Sequence, residues 1–218
     1  METTYFKRMA AMACMAALTL TTVLAGRISG TPKSEDAAEV KRILVVGLPD
    51  NVESNYFPLS MIAEETGMPE DSIDYAYNRA VTDNIVRANK DRRYQFLPVE
   101  GRSASGWVER VSVKGEDEEA QYADLSQVDE AAYRQWMDAA GADYVLLLNR
   151  HYLKWQEKPL RTLFHITSYS LYDSHHREVA HGNHYFTSMD LDNREQLEKD
   201  SRKSSLRIAQ NVVKTLSK

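Results

Sequence analysis

"AAGADYVLLLNRHYLKW", residues 139–155, holds a helix end, a stop and a strand in direct succession. Gly141 supplies the left-handed residue that ends a helix. The helix before it is predicted over 127–140, with Ser126 as its cap and Asp129 three residues on, and with Val128, Ala132, Trp136 and Ala140 on one face. The run after it, Tyr144 to Leu148, is continuously apolar, as in a strand covered on both faces. A strand of this kind belongs in the middle of a sheet layered with helices, and that reading fixes the class of fold.

The same alternation extends in both directions. "RILVVGL" (42–48) is a second continuous apolar run rich in β-branched residues. After it a short helix from Leu59 to Glu65 stops at Gly67. Pro69 opens the next helix, with Glu70 and Asp71 near its positive end. Ile73, Tyr77, Ala80, Val81, Ile85 and Ala88 recur along it at helical spacing. "YQFLPVEG" (94–101) is a further short strand. Downstream, "RTLFHITSYSLYD" (161–173) and "REVAHGNHYFTSM" (177–189) are two strands joined by a turn around Ser174, His175 and His176. A long terminal helix follows, from about residue 191 to 217, with Leu206, Ala209, Val212, Val213 and Leu216 as its apolar stripe. The order β-α-β-α-β-β-β-α predicts an α/β fold: a mixed sheet with parallel crossovers, a C-terminal β-hairpin and a long C-terminal helix. The stretch 102–125 contains "KGEDEEAQ" and lacks periodicity, so it reads as an acidic insertion, disordered or functional; Val108, Val111 and Val113 offer an extra edge strand as the alternative.

The amino terminus has the three parts of an export signal. Lys7 and Arg8 are followed by the uncharged "MAAMACMAALTLTTVLAG" (9–26), and then by Arg27 and a polar run. Val23 and Ala25 place small residues at minus three and minus one for a peptidase. Residues 1–25 are therefore read as a signal peptide, 26–40 as a linker and 41–218 as one α/β domain. A retained membrane anchor is the minority alternative. Leu24-Ala25-Gly26 resembles a lipid-attachment box, but Arg27 stands where the cysteine is required. Cys14 is the sole cysteine and lies inside the apolar segment, so the mature chain has no disulfide. Loss of residues 1–25 moves the formal charge from -5 to -6, and an acidic domain is unlike a nucleic-acid binder with its basic patch.

With "KRILVVGLPD" (41–50), "AAGADYVLLLNRHYL" (139–153) and "LYDSHHREVA" (171–180), the chain resembles the TolB N-terminal-like group of bacterial envelope proteins. That group includes the curli secretion lipoprotein CsgG and the penicillin-binding-protein activator LpoB. The resemblance covers most of residues 41–217. It implies a periplasmic or secreted protein that acts by contact with other envelope proteins rather than by catalysis. It transfers no functional residue, and the missing lipidated cysteine departs from many members.

The side chains themselves offer few chemical motifs. All six histidines, His151, His165, His175, His176, His181 and His184, fall in the last three strands or their turn. A metal cage needs three or four groups converging on one ion, whereas His181 and His184 on a strand point to opposite sides, so no metal and no cofactor is expected. The rival reading is a periplasmic hydrolase or metal-dependent enzyme that uses these strands. "GRSASG" (101–106) lacks the G-x-S-x-G spacing of a nucleophile elbow. The hairpin carries the remaining candidate. A five-residue loop from Asp173 to Arg177 sets Phe164 opposite Phe186, which pairs His165 with Tyr185 and Tyr169 with His181 on one polar, aromatic face. His165, Tyr169, His181 and Tyr185 are the expected partner-binding residues, with Glu116 to Glu119 as an accessory contact. The expected partner is an envelope protein, not nucleic acid. The membrane enters only through the signal segment if it stays uncleaved.

Overall fold

The computed structural model of the chain describes residues 40–99 and 106–218; the expected signal peptide and all but the last residue of the expected linker lie outside them. Strand β1 (Lys41–Gly47) is followed by the short β2 (Val52–Ser54), helices α1 (Leu59–Thr66) and α2 (Ile73–Ala88), and strand β3 (Tyr94–Val99). A small hairpin of β4 (Ser112–Lys114) and β5 (Tyr122–Asp124) leads to α3 (Glu130–Ala140). Then come β6 (Tyr144–Gln156), β7 (Thr162–Asp173), β8 (Glu178–Ser188) and helices α4 (Arg194–Asp200) and α5 (Arg202–Leu216).

The main sheet runs β3-β1-β6-β7-β8. β1 is parallel to β3 and β6, and β6, β7 and β8 are antiparallel. This is the mixed sheet with parallel crossovers and a terminal hairpin that the alternation of elements predicts. β6 is long enough to take two parallel partners in tandem: β1 lies beside Tyr144–Leu148, and β2 lies beside His151–Leu153. Between these halves the pairing of β6 with β7 skips Asn149, a bulge.

Each face of the sheet is covered differently. On one, Ile43, Val45, Leu146, Leu148, Tyr169 and Leu171 pack under α2 and α5 through Val81, Ile85, Ile208, Ala209 and Val212. On the other, Leu44, Val46, Val145 and Leu147 pack under α3 and the small hairpin through Tyr133, Met137, Trp107, Val108, Ala123 and Leu125. Leu146, Leu147 and Leu148 have no exposed surface, which matches a central strand. At roughly 1.5 to 3 kcal/mol for each fully buried large apolar side chain, this double layer dominates the stability.

Several local expectations change. The stretch 106–125 is a folded hairpin with a buried inner side, so the edge-strand reading of its valines holds for Val113 in β4 but in a separate two-stranded sheet. α3 starts at Glu130, capped by Asp129, whose side chain accepts the Ala132 N–H at 2.8 Å. Its buried residues are Tyr133 and Met137, one position round from the expected face, because Val128 belongs to the turn before the helix and does not continue its stripe. The terminal helix breaks at Ser201. There Asn84 of α2 donates to the Glu198 carbonyl at 2.7 Å and to Ser201 Oγ at 3.0 Å, satisfying groups freed by the break. The buried residues of α5 are accordingly Ser204, Ser205, Ile208, Ala209 and Val212, with the expected Val213 and Leu216 packed half-buried beside them and Leu206 exposed, since small serines let α5 approach α2. Among the described residues no helix is long and apolar enough to cross a membrane.

Candidate functional site

The hairpin β7–β8 is built in a register one residue away from the expected one. His165 faces Phe186, Ile166 faces Tyr185, Tyr169 faces Gly182, and Ser170 faces His181. The cause is a bulge: the loop sets Tyr172 opposite Glu178 as expected, and Val179 then consumes one residue before Leu171 meets Ala180. With a side-chain period of two, one residue sends half of a face to the other side. The four expected partner-binding residues are thus divided. His165 and Tyr169 turn inward under the helices, while His181 and Tyr185 lie on the α3 side.

The inward pair is core. The Tyr169 ring lies over Gly182, where an added Cβ would sit 3.0 Å from the tyrosine oxygen. His165 stacks on Phe186 with ring centroids 4.3 Å apart, and its Nε2 lies 2.8 Å from Ser188 Oγ. His151 lies nearby, with Nδ1 3.1 Å from Thr167 Oγ1 and Nε2 3.0 Å from Asn78 Oδ1. Asn78 also bonds Asn51 and the Leu48 carbonyl, and its side chain occupies the space over Gly47, which has no Cβ to exclude it. Burial pushes both histidines down to about 3, so both are neutral. Asp192, whose Oδ2 lies 3.9 Å from His165 Nε2, is pushed up by burial to about 6. With both histidines neutral and three of their four ring nitrogens bonded, this cluster fixes packing. It does not bring metal ligands together: among the described residues no three His, Cys, Asp or Glu groups form a metal cage.

The outward pair belongs to a surface. Beyond the bulge, Arg150, Tyr152 and Lys154 of β6 face the α3 side, level with Ser168, Ile166 and Phe164 of β7 and then Asn183, Tyr185 and Thr187 of β8. α3 packs over the first half of β6 and leaves this half of the sheet to the loop of the small hairpin. That loop, the acidic segment, folds against it. Glu119 pairs with Lys154, and its carbonyl accepts from Asn183 Nδ2 at 2.6 Å. Burial and the Glu118 carboxylate push the Tyr152 phenol up to about 12. An open cleft of about 330 Å³ lies between Glu116–Glu119 and the Tyr152 and Lys154 side chains. Tyr122 of β5 stacks on His181, which also bonds Glu178, and Phe164 meets Tyr185 edge to face at 5.7 Å. Tyr185 keeps 59% of its surface exposed.

Two of the expected residues therefore share this surface with the acidic accessory segment, and two do not. Tyr122, Tyr152 and Lys154 were missed as members. The alternation in "RHYLKW" (150–155), basic or phenolic at every second position, was the signal that places Arg150, Tyr152 and Lys154 on one face. The "GRSASG" loop lies outside the described residues, apart from Gly106.

No family model matches the chain, and no curated protein does. Among solved structures it is similar to the PelC dodecamer from Paraburkholderia phytofirmans, with a TM-score of 0.37 and 9% identity over 78% of this chain and 86% of that one. It is also similar to the lipoprotein GNA1162 from Neisseria meningitidis, with a TM-score of 0.32 and 13% identity over 81% of this chain and 98% of that one.

Proposed function

We propose that this chain is an exported bacterial envelope accessory protein that acts by contact with another envelope protein and catalyses no reaction. Export is supported by the signal-like residues 1–25, and contact is supported by the surface at the end of the sheet. The observation that carries the reading is Tyr185: a large aromatic, mostly exposed, on a bed of half-buried side chains at the outermost strand. From Val179 to Ser188 that strand has no charged residue and no proline, the devices that ordinarily protect an edge. Aromatic groups of this kind provide much contact area at small entropic cost. The binding residues are then His181 and Tyr185, joined by Tyr122, Tyr152 and the segment Glu116 to Glu119. His165 and Tyr169 act only by holding the sheet.

The test is the double variant His181→Ala with Tyr185→Ala, whose fold is checked by amide exchange. Its recovery of partners from an envelope extract should fall by about ten- to a hundredfold in affinity. Unchanged recovery by a folded double variant overturns the assignment of the surface. Stoichiometric zinc in protein purified without a histidine tag overturns the non-catalytic reading.

A further inference from the structure

β1 and β3 are neighbouring parallel strands whose carboxyl ends lead to opposite faces of the sheet. After Leu48 the chain passes to α2 on one face, whereas Trp107 and Val108, downstream of β3, pack on the other. Open α/β sheets form crevices outside the carboxyl ends of their strands near such a point. Beyond the carboxyl end of β1, between the bulge of β6 and the segment Val108–Val113, lies a cavity of about 100 Å³. Its size suits a few non-hydrogen atoms and exceeds what a single water needs.

Its chemistry is specific. Val108, Val111 and Val113 make an apolar wall. The floor includes Asn149, which has no exposed surface. The Asn149 amide nitrogen donates to the Gln121 carbonyl at 3.1 Å and to Ser170 Oγ at 3.0 Å, while its Oδ1 has no partner. A buried acceptor without a donor costs roughly 1 to 3 kcal/mol, so the site favours a ligand that brings an N–H. Arg150 in the lining is neutralised by Glu53 at 2.8 Å, which leaves the carboxylates of Asp50 and Glu109 at the mouth to set the charge. Asp50 is held in the left-handed region, at φ 49°, with its N–H on Asp74 Oδ2 at 3.3 Å. A strained non-glycine residue at a cavity mouth is a feature of binding sites.

We infer that this cavity binds a primary ammonium or guanidinium head on a short apolar stem. The cation lies between Asp50 and Glu109, an N–H reaches Asn149 Oδ1, and the stem rests on the valines. Such a head is found on a free alkylamine and on a lysine or arginine side chain. The site is separate from the surface at β8, and its failure would leave that reading untouched.

The test is a ¹H–¹⁵N titration with butylammonium chloride, methylguanidinium chloride and N-acetyl-lysine methylamide, against matched sodium chloride, butanol and butyrate. Saturable shifts should appear at the Asn149 side-chain amide and at Val111 and Val113 for the cations alone. The surface variant Asp50→Asn with Glu109→Gln should bind about tenfold more weakly, a difference of about 1.4 kcal/mol. Tighter binding of the lysine derivative supports a partner's side chain as the source, and equal or tighter binding of butylammonium supports a free amine. Absence of saturable shifts, equal response to butyrate or butanol, or unchanged affinity in the double variant overturns the inference.

Discussion

The two halves of β6 run in one strand yet live in different environments. Tyr144 to Leu148 lies between β1 and β7, with apolar layers above and below. After the bulge at Asn149, His151, Leu153 and Trp155 face the helices, while Arg150, Tyr152 and Lys154 face the acidic segment and solvent. The first half holds the molecule together, and the second presents chemistry. The bulge separates them: the extra residue lets the strand leave β1 and take up β2, while its side chain stays in the floor of the crevice.

That contrast can be broken by substitution. Leu147→Ala, in the first half, removes a fully buried side chain between two layers and should cost about 2 to 5 kcal/mol in denaturant unfolding. A loss under about 1 kcal/mol would show the double layer to be loosely packed.

Acid should act mainly on the second half. His151 and His165, held down to about 3 by burial, are neutral in the folded state, whereas in the unfolded chain they take protons below about pH 6.5. Their contribution is therefore complete above pH 6.5 and is lost as pH falls below it, by up to about 1.4 kcal/mol per pH unit for each. Asp192 has the opposite sign. Raised to about 6, it takes up its proton in the folded protein first and offsets about one histidine between pH 6 and 4. The net loss should be about 3 kcal/mol over two pH units in that range, read from urea midpoints. His151→Gln should flatten the slope, and an unchanged slope would show that the pair does not govern it.

Gly47→Ala probes the hinge between the halves. The added methyl would meet Asn78 Cγ at 2.1 Å, so Asn78 must give up its place between Leu48, Asn51 and His151. The expected cost is about 1 to 3 kcal/mol, and Asn78→Ala should make the second change nearly free in a double-mutant cycle. Additive losses would mean that the crowding lies elsewhere. Smallest of all, Lys154→Ala removes a half-exposed ion pair with Glu119 and should change stability by no more than about 0.5 kcal/mol. A larger loss would make the acidic segment part of the core.

The sequence revealed most where burial was uniform. "RILVVGL" and "YVLLL" read as central strands because Ile43 to Val46 and Val145 to Leu148 are apolar without a break, and the stripe of α2 from Ile73 to Ile85 followed from helical spacing. It was silent where a single inserted residue decides the outcome. The bulges at Asn149 and Val179 shift register by one, and no propensity marks them: Val179 reads as an ordinary strand residue. Hence Tyr169 and His181 were legible as hairpin residues but not as residues on opposite faces. The acidic run was legible by composition. That its Glu119 docks on Lys154 depends on a contact between residues far apart in the chain, which local pattern does not contain.

The parallel pairing at the centre of the sheet also sets a timetable. Arg42 N–H is accepted by Asp143, 101 residues later, and every rung between β1 and β6 spans a comparable length of chain. Closing so long a loop is entropically expensive before any neighbouring contact rewards it, whereas the meander of β6, β7 and β8 closes through short turns. β1, made before β3 and β6, is thus among the last of the described strands to complete its pairing. Until then its four consecutive buried residues, Ile43 to Val46, are an exposed adhesive edge, and the protein depends on its last third to make that edge safe.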